Sequence, residues 1–165
     1  MKFLEIKRET EEAFEEVAQT LFDSYAIQTH NKIYRFIELE FYWNSPTHID
    51  NSTYKRNHVF PKSGDWFFHY SGVDIALSNM KTGGYGGILI RNIFDLQKEV
   101  IIKGPMVCAM KLFSGYNAFS KSIETQILPY EFKRSIIIKR QRKGLGQNAK
   151  ENKADKLNYA FLINP

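Results

Sequence analysis

The sequence predicts a single α+β domain of 165 residues. One segment near the N-terminus has helical periodicity, and several short segments rich in aromatic and β-branched residues have the character of strands. Glycine, proline and asparagine mark the turns between them, and neither an internal repeat nor a linker divides the chain. A chain of this length can bury one sizeable core, so we expect residues 1–165 to form one domain.

Composition limits the class of protein. Hydrophobic residues make up 43% and aromatic residues 15% of the chain, which is typical of a globular protein. The single cysteine, Cys108, excludes an internal disulfide and fits a reducing compartment. No segment has the apolar length of a membrane span or the pattern of a signal peptide. We therefore expect a cytoplasmic protein that does not contact a membrane.

Charge is unevenly distributed along the chain. The net charge is +5, acids dominate residues 5–16, and lysines and arginines crowd the C-terminal third. This distribution is compatible with a polyanionic partner such as nucleic acid, although a solvated basic surface gives the same pattern.

Residues 10–22 are predicted to form an amphipathic helix. Thr10 suits the N-cap position, and glutamates occupy the first turn. The apolar positions recur at helical spacing: Phe14, Val17, Ala18 and Leu21. We expect this helix to have a structural role.

Residues 32–42 are predicted to form a strand that carries two acids on one face. Because side chains alternate along a strand, Glu38, Glu40 and Tyr42 point to one side. Apolar residues point to the other side: Ile37, Leu39 and Phe41. On a largely apolar strand, such a carboxylate could act as a base. An edge strand with solvated glutamates would give the same pattern.

Turn and strand signals predict the remaining elements. The polar residues 44–57, which include Pro46, predict a loop. A hairpin is predicted with strands at 66–70 and 73–77 and a turn at Gly72, followed by a glycine turn at 83–87 and a strand at 88–90. Gly104-Pro105 predicts the start of a helix over 106–112. Strands predicted at 136–138 and 157–163 flank a basic loop over 139–154.

Short motifs occur in a characteristic order: Glu38-Leu-Glu40-Phe-Tyr42, Pro46-Thr-His48, Arg56-Asn57, the hairpin from Gly64 to Asn79, and Leu89-Ile-Arg91. Others follow toward the C-terminus: Gly104-Pro105 ahead of Cys108, Arg142-Lys-Gly-Leu145 and Tyr159-Ala-Phe161. Each motif alone is weakly specific. Their order over residues 20–162 resembles that of the alkyladenine (3-methyladenine) DNA glycosylase family.

The resemblance implies both a fold and an activity. The implied fold is a mostly antiparallel, curved sheet with flanking helices, similar to the C-terminal domain of formyltransferases. The implied activity is hydrolysis of the N-glycosidic bond of an alkylated or deaminated purine after the nucleotide has been flipped out of DNA, which is the chemistry of base excision repair. It further implies DNA as the partner and no metal or organic cofactor. We expect a monomer.

The resemblance also assigns roles to residues. Glu40 would activate the attacking water, with Arg91 beside it. Aromatic side chains would stack on the flipped base: Tyr42, His48 and either His69 or Tyr70. Asn79 would screen against the exocyclic amino group of guanine. The residues implied to contact DNA are Arg56, Ser71, Gly72, Arg142 and Lys143.

The sequence departs from the family pattern at two places. Ser71 stands where the family has a tyrosine that wedges into the gap left by the flipped nucleotide. The loop after His48 carries Asp50-Asn-Ser-Thr in place of arginines that hold phosphate. Duplex repair is therefore less strongly indicated than the fold.

Two other functions fit the same sequence. One is a non-catalytic nucleic-acid-binding module on the same fold that uses the basic C-terminal third. The other is a metal-dependent hydrolase with ligands from Glu38, Glu40, His48 and Asp50. The absence of a compact ligand motif makes the second less favoured.

Overall fold

A computed structural model describes residues 1–55, 62–115, 119 and 124–165, and within them the chain forms a nine-stranded antiparallel sheet flanked by short helices. The α-helices are α1 (Glu11–Ser24), α2 (Pro105–Phe113) and α3 (Gln147–Glu151), and 3-10 turns span Lys2–Leu4 and Ala154–Lys156. The strands are β1 (Tyr25–Thr29), β2 (Lys32–Asn44), β3 (Trp66–His69), β4 (Gly72–Asn79), β5 (Gly84–Asp95), β6 (Val100–Lys103), β7 (Gln126–Pro129), β8 (Ile138–Arg140) and β9 (Ala160–Leu162). This confirms the α+β class predicted from the sequence.

The N-terminal helix forms where its periodicity predicts. The Thr10 hydroxyl accepts a hydrogen bond from the Ala13 backbone N–H at 3.3 Å, which caps the first turn. The helix continues to Ser24, two residues beyond the predicted end. Its apolar face is buried in the core: Phe14, Val17, Ala18, Leu21 and Phe22.

The acid-bearing strand β2 lies in the interior of the sheet. The main sheet order is β3-β4-β5-β2-β1-β7, with β6 paired to β5, β9 paired to β2, and β8 paired to β9. At Glu38–Glu40, β2 is bonded to β5 on one side and to β9 on the other. Glu38 and Glu40 are consequently buried, and the interpretation of β2 as an edge strand with solvated glutamates is wrong.

The core is packed mainly by large apolar residues of the central strands and of α1 and α2. Ile37, Leu39 and Phe41 of β2 lie in it, as the alternation of the strand predicts. The aromatic rings pack in tilted and edge-to-face pairs, such as Phe14 against Phe41 at a centroid distance of 5.4 Å.

The glycine run at 83–87 is the main difference between prediction and structure in the central sheet. Gly84, Gly86 and Gly87 belong to β5, where Gly84 pairs with β4 and the other two pair with both β2 and β4, so the predicted turn is confined to the residues just before them. Glycine is required because a Cβ at Gly86 would collide with the Tyr42 carbonyl oxygen, and one at Gly84 would collide with the Trp43 ring. The run therefore permits close packing of β5 on β2.

The C-terminal third also differs from the prediction. The strand expected at 136–138 begins only at Ile138, the basic loop contains α3, and the final strand is shorter than 157–163. The sequence pattern does not predict the short strands β1, β6 and β7. No helix in the described ranges is long and apolar enough to cross a membrane.

Candidate active site

Glu40 is the centre of a buried polar cluster on the sheet. Its Oε2 accepts hydrogen bonds from the Tyr42 hydroxyl at 3.0 Å and from Arg91 Nη1 at 3.2 Å. Its Oε1 accepts one from the Lys143 backbone N–H at 3.0 Å. The side chain has no exposed surface. Donors from β2, β5 and the loop after β8 thus converge on one carboxylate, which fixes its orientation.

Arg91 connects Glu40 with the neighbouring acid on β2. Its Nε lies 3.5 Å from Glu38 Oε1, while Nη1 contacts Glu40. Glu38 is further bound by Arg140 and by the Asn92 side-chain amide. Arg91 is therefore beside Glu40, as the family resemblance implies, and it is also the bridge of an ion-pair network.

Tyr42 forms one wall beside Glu40. Its hydroxyl is directed at the carboxylate, and the guanidinium of Arg142 lies over its ring at 4.6 Å from the centroid. Burial raises the pKa of the Tyr42 hydroxyl far above its usual range, and the nearby Glu40 carboxylate raises it further. Tyr42 therefore remains a neutral hydrogen-bond donor to Glu40.

The position of Arg142 does not fit the DNA contact that the resemblance implies. Its side chain is completely buried, and its two Nη groups donate within the protein: Nη1 to Asp50 at 2.6 Å and to the Phe41 carbonyl at 3.1 Å, and Nη2 to the Ala154 carbonyl at 2.9 Å. A guanidinium in this position has no surface to offer a phosphate, so the assignment of Arg142 to DNA binding is corrected. Arg142 instead fixes the loop whose next residue, Lys143, binds Glu40.

His48 and Tyr159 form a second aromatic pair next to Arg142. Their rings are stacked with centroids 5.7 Å apart and 24° between planes, and the Tyr159 hydroxyl lies 3.4 Å from His48 Nε2. Burial lowers the pKa of His48 and raises that of Tyr159 to about 12. Both rings are therefore uncharged at neutral pH, a state that suits stacking.

His69 and Tyr70 are adjacent in the β3–β4 hairpin, but their side chains point in different directions. His69 points inward, with Nε2 at 2.9 Å from Asp74 Oδ1 and its ring 4.4 Å from that of Tyr54. Tyr70 is at the tip of the hairpin, 83% exposed, with its ring edge-on to Tyr54. The spacing in the sequence does not decide between these two positions; in the structure His69 is buried against Asp74, whereas Tyr70 is exposed.

Ser71 and Gly72 complete the hairpin turn. The Ser71 hydroxyl lies 3.0 Å from the Tyr54 hydroxyl. Gly72 has φ +155°, and a Cβ there would meet backbone atoms of Pro105 at 3.0 Å. Gly72 is thus needed for the close approach of the hairpin to the start of α2.

Asn79 does not join the cluster. Its side-chain amide donates to the Ile6 carbonyl at 2.8 Å, and its Oδ1 accepts from the backbone N–H groups of Lys81 and Thr82. It stabilises the β4–β5 turn, five positions along β4 from Asp74. The expectation that Asn79 screens the base is therefore corrected. Arg56, implied to contact DNA, lies outside the described residues.

Three residues that contact predicted site residues have no role in the sequence prediction: Tyr54 and Asp74, which contact His69, and Tyr159, which stacks on His48. Asp74 could have been found, because it is a lone acid within the otherwise apolar strand 73–77. Tyr54 and Tyr159 come from a loop and from the residue before β9, and their contribution depends on tertiary packing that local patterns do not encode.

The acids proposed as metal ligands do not converge. Glu38 and Glu40 share Arg91, and Asp50 is bound by Arg142. Within the ranges that the structure describes, no group of three or more His, Cys, Asp or Glu side chains could hold a metal ion. The geometry thus gives no support to the metal-dependent hydrolase.

Comparison with known proteins identifies one similar protein, whose activity is not characterized. An uncharacterized protein of Acanthamoeba polyphaga mimivirus is 28% identical over 131 residues, which cover 64% of this chain and 59% of the viral protein. No protein-family model and no solved structure matches the chain.

Proposed function

We propose that the protein is a DNA glycosylase-like hydrolase that removes damaged purines from DNA, with Glu40 as the residue that activates water. The observation that carries the proposal is the carboxylate of Glu40 held by Tyr42, Arg91 and the Lys143 backbone N–H. It is supported by the order of motifs and by the antiparallel α+β architecture. We also propose that the fold is that of the glycosylase family.

The proposed reaction is a displacement at the anomeric carbon. The water oxygen bonds to C1′ of the flipped nucleotide, and the glycosidic bond breaks with its electron pair leaving on the purine. Glu40 accepts the water proton and stabilises the positive charge that develops on the sugar. Arg91 orients the carboxylate from the adjacent strand.

Aromatic side chains account for recognition of the base. The strand register puts Tyr42 and His69 on the same face of the sheet. His48 stacks on Tyr159, and Arg142 lies over the rings of both Tyr42 and Tyr159. A purine extruded from the stack loses its stacking partners, and aromatic rings replace them. An uncharged His48 also avoids repelling a cationic alkylated purine.

Tyr70 supplies the wedge that Ser71 does not. It is the exposed aromatic residue of the hairpin tip, and its neighbour Ser71 is turned toward Tyr54. We propose that the Tyr70 ring enters the gap in the duplex when the nucleotide is extruded. The departure from the family pattern is then a shift by one residue within the same hairpin.

The test is base release from duplex and single-stranded oligonucleotides that contain hypoxanthine, ethenoadenine or 3-methyladenine. We expect wild-type protein to release at least one of these bases and Glu40→Gln to lower the rate by about a hundredfold or more. Glu38→Gln is the matched control, because it removes a buried carboxylate from the same face of β2. We expect its rate to stay closer to that of the wild type.

If no base is released from any of these substrates, the proposed glycosylase activity is wrong. Equal loss of release in Glu40→Gln and Glu38→Gln would mean that the ion-pair network as a whole, and not Glu40, supports activity. Circular dichroism of both variants would separate loss of fold from loss of chemistry.

One observation favours a second candidate, the non-catalytic nucleic-acid-binding module. Glu40 has no exposed side-chain surface, so a substrate reaches it only if the residues packed around the carboxylate move. Salt-sensitive binding of oligonucleotides without any base release would select this function.

A further inference from the structure

Two buried carboxylates and two guanidinium groups form one network on the face of the sheet that carries Glu40. Arg140 of β8 is bonded to Glu38 Oε1, and Arg91 Nε lies 3.5 Å from the same oxygen. Arg91 Nη1 in turn lies 3.2 Å from Glu40 Oε2. Each carboxylate in this chain is thus matched by one guanidinium, so the network carries no net charge.

The strand register brings Arg140 into this network. Ala160 of β9 is paired with Arg140 on one side and with Glu40 on the other. Directly paired residues of antiparallel strands project to the same face, so Arg140 and Glu40 share a face with a small side chain between them. Two strand spacings separate their backbones by about 10 Å. The long Arg140 side chain crosses β9 on this face and ends at Glu38.

Arg140 affects how Arg91 is shared between the two acids. Among the ion pairs of the described residues, Glu38 has two cationic partners, whereas Glu40 has Arg91 alone. If the positive charge of Arg140 were removed, Glu38 would compete with Glu40 for Arg91, and the network would carry one uncompensated negative charge. Both effects disfavour the ionised form of Glu40, which is the form that accepts a proton from water.

We propose that Arg140 is a positioning residue for the reaction at Glu40: it neutralises Glu38 and so keeps the Arg91 guanidinium on Glu40. This inference rests on the proposed function, because it concerns the carboxylate that activates water. In this role Arg140 acts through Glu38 and Arg91, without contacting the substrate. The role therefore predicts a change in the pH dependence of base release, which a purely structural ion pair would not produce.

The remaining ionisable groups near Glu40 are the same in every variant of the test. Their titration contributes equally to each pH profile, so differences between profiles report the charges of Glu38 and Arg140. Burial raises the pKa of the Cys108 thiol, on the α2 side of the network, to about 12, so this group stays neutral. The other groups are Tyr42 of β2, Asp74 of β4 with His69, Lys143 of the loop after β8, and Arg142 with Asp50, His48 and Tyr159.

The experiment measures base release against pH for wild type, Arg140→Gln, Glu38→Gln and the double variant. Release decreases on the acid side as Glu40 becomes protonated. We expect Arg140→Gln to move this acid limb upward by about 0.5–1 pH unit, because a nearby positive charge is lost. Glu38→Gln removes a negative charge and should move it downward by a similar amount. The double variant should return it to within about 0.3 pH unit of wild type.

The neighbouring cation of β8 provides the matched control. Lys139 binds Glu11 and Glu15 of α1, so Lys139→Gln removes one positive charge from the same strand but not from the network. Its acid limb should coincide with that of wild type. If Arg140→Gln does not fold, Arg140→Met, which keeps most of the apolar part of the side chain, carries the test. A rate lowered equally at every pH, with the acid limb in place, would overturn the role of Arg140.

A second measurement separates this inference from the proposed function. Carbon NMR of protein labelled at the glutamate carboxyl groups follows ionisation of Glu40 directly, and Glu40→Gln assigns its signal. Opposite shifts of the Glu40 titration midpoint in Arg140→Gln and Glu38→Gln support the coupling of Arg140 to Glu40, even if wild-type protein releases no base. Base release by wild-type protein, with the same midpoint in Arg140→Gln, overturns the role of Arg140 and leaves the glycosylase intact.

Discussion

At the scale of single residues, the burial of Glu40 predicts that its replacement lowers the stability of the fold as well as the activity. The motif alone suggests a cleft glutamate whose replacement leaves folding nearly intact. In the structure the carboxylate accepts three hydrogen bonds and has no exposed surface. A side chain of this kind contributes to stability as well as to chemistry.

We therefore expect Glu40→Gln to lower the free energy of unfolding by about 1–3 kcal/mol, because the amide NH₂ group cannot accept a hydrogen bond from the donors that face it. Urea denaturation measures this difference. Glu16→Gln on α1, which affects only an exposed pair with Arg8, should show little change. Equal stability of Glu40→Gln and wild type would contradict the hydrogen-bonded position of Glu40.

Tyr70 provides the complementary case of an exposed residue. Because its ring is 83% exposed, we expect Tyr70→Ala to leave the unfolding transition unchanged. We expect it to weaken binding to a damaged duplex by about tenfold, the loss of one stacking contact. Met80→Ala, an exposed apolar residue at the opposite end of β4, is the control. Similar affinities for the two variants would remove Tyr70 from the DNA interface.

At the scale of elements, the contact between β2 and β5 depends on glycine. The β5 backbone approaches β2 so closely at Gly86 that the Tyr42 carbonyl oxygen occupies the space of a side chain. This contact sets the position of Tyr42, and through the same strand that of Glu40.

We expect Gly86→Ala to destabilise the protein by about 2 kcal/mol or more, because the backbone of β2 must move to admit the methyl group. The control is Gly146→Ala, since a Cβ at Gly146 meets no atom within 4 Å. Thermal unfolding of both variants measures the difference. A Gly86→Ala protein as stable as Gly146→Ala would show that β5 can retreat from β2 at little cost.

At the scale of the whole molecule, the buried pair of Arg142 and Asp50 joins the loop after β2 to the loop after β8. These segments are far apart in sequence, and both border the polar cluster. Arg142 also stacks on Tyr42 and Tyr159, so one guanidinium holds aromatic residues from β2 and from the segment before β9.

Loss of the ion pair between Arg142 and Asp50 should lower the free energy of unfolding. We expect Asp50→Asn and Arg142→Met each to lower the unfolding free energy by about 3–5 kcal/mol, because either change leaves a buried partner unpaired. The double variant should lose less than the sum of the two, which a double-mutant cycle by urea denaturation measures. Additive losses would mean that the two side chains act independently.

The sequence predicted those parts of the fold that depend on local pattern. The amphipathic helix, the hairpin at Gly72 and the alternation on β2 follow from side-chain periodicity and turn chemistry. The interior position of β2 could not be predicted, because it depends on pairing with β9, which lies far along the chain. For the same reason Arg142 was assigned to DNA, since a basic residue in a polar loop carries no local sign of burial.

Lys143 has a consequence for how this protein could diversify. Its contact with Glu40 is made by the main chain, while its side chain is exposed. Any residue except proline can supply that N–H group. The charge that position 143 presents to a partner can therefore change freely during evolution or in an engineered library without altering the hydrogen bonds of Glu40.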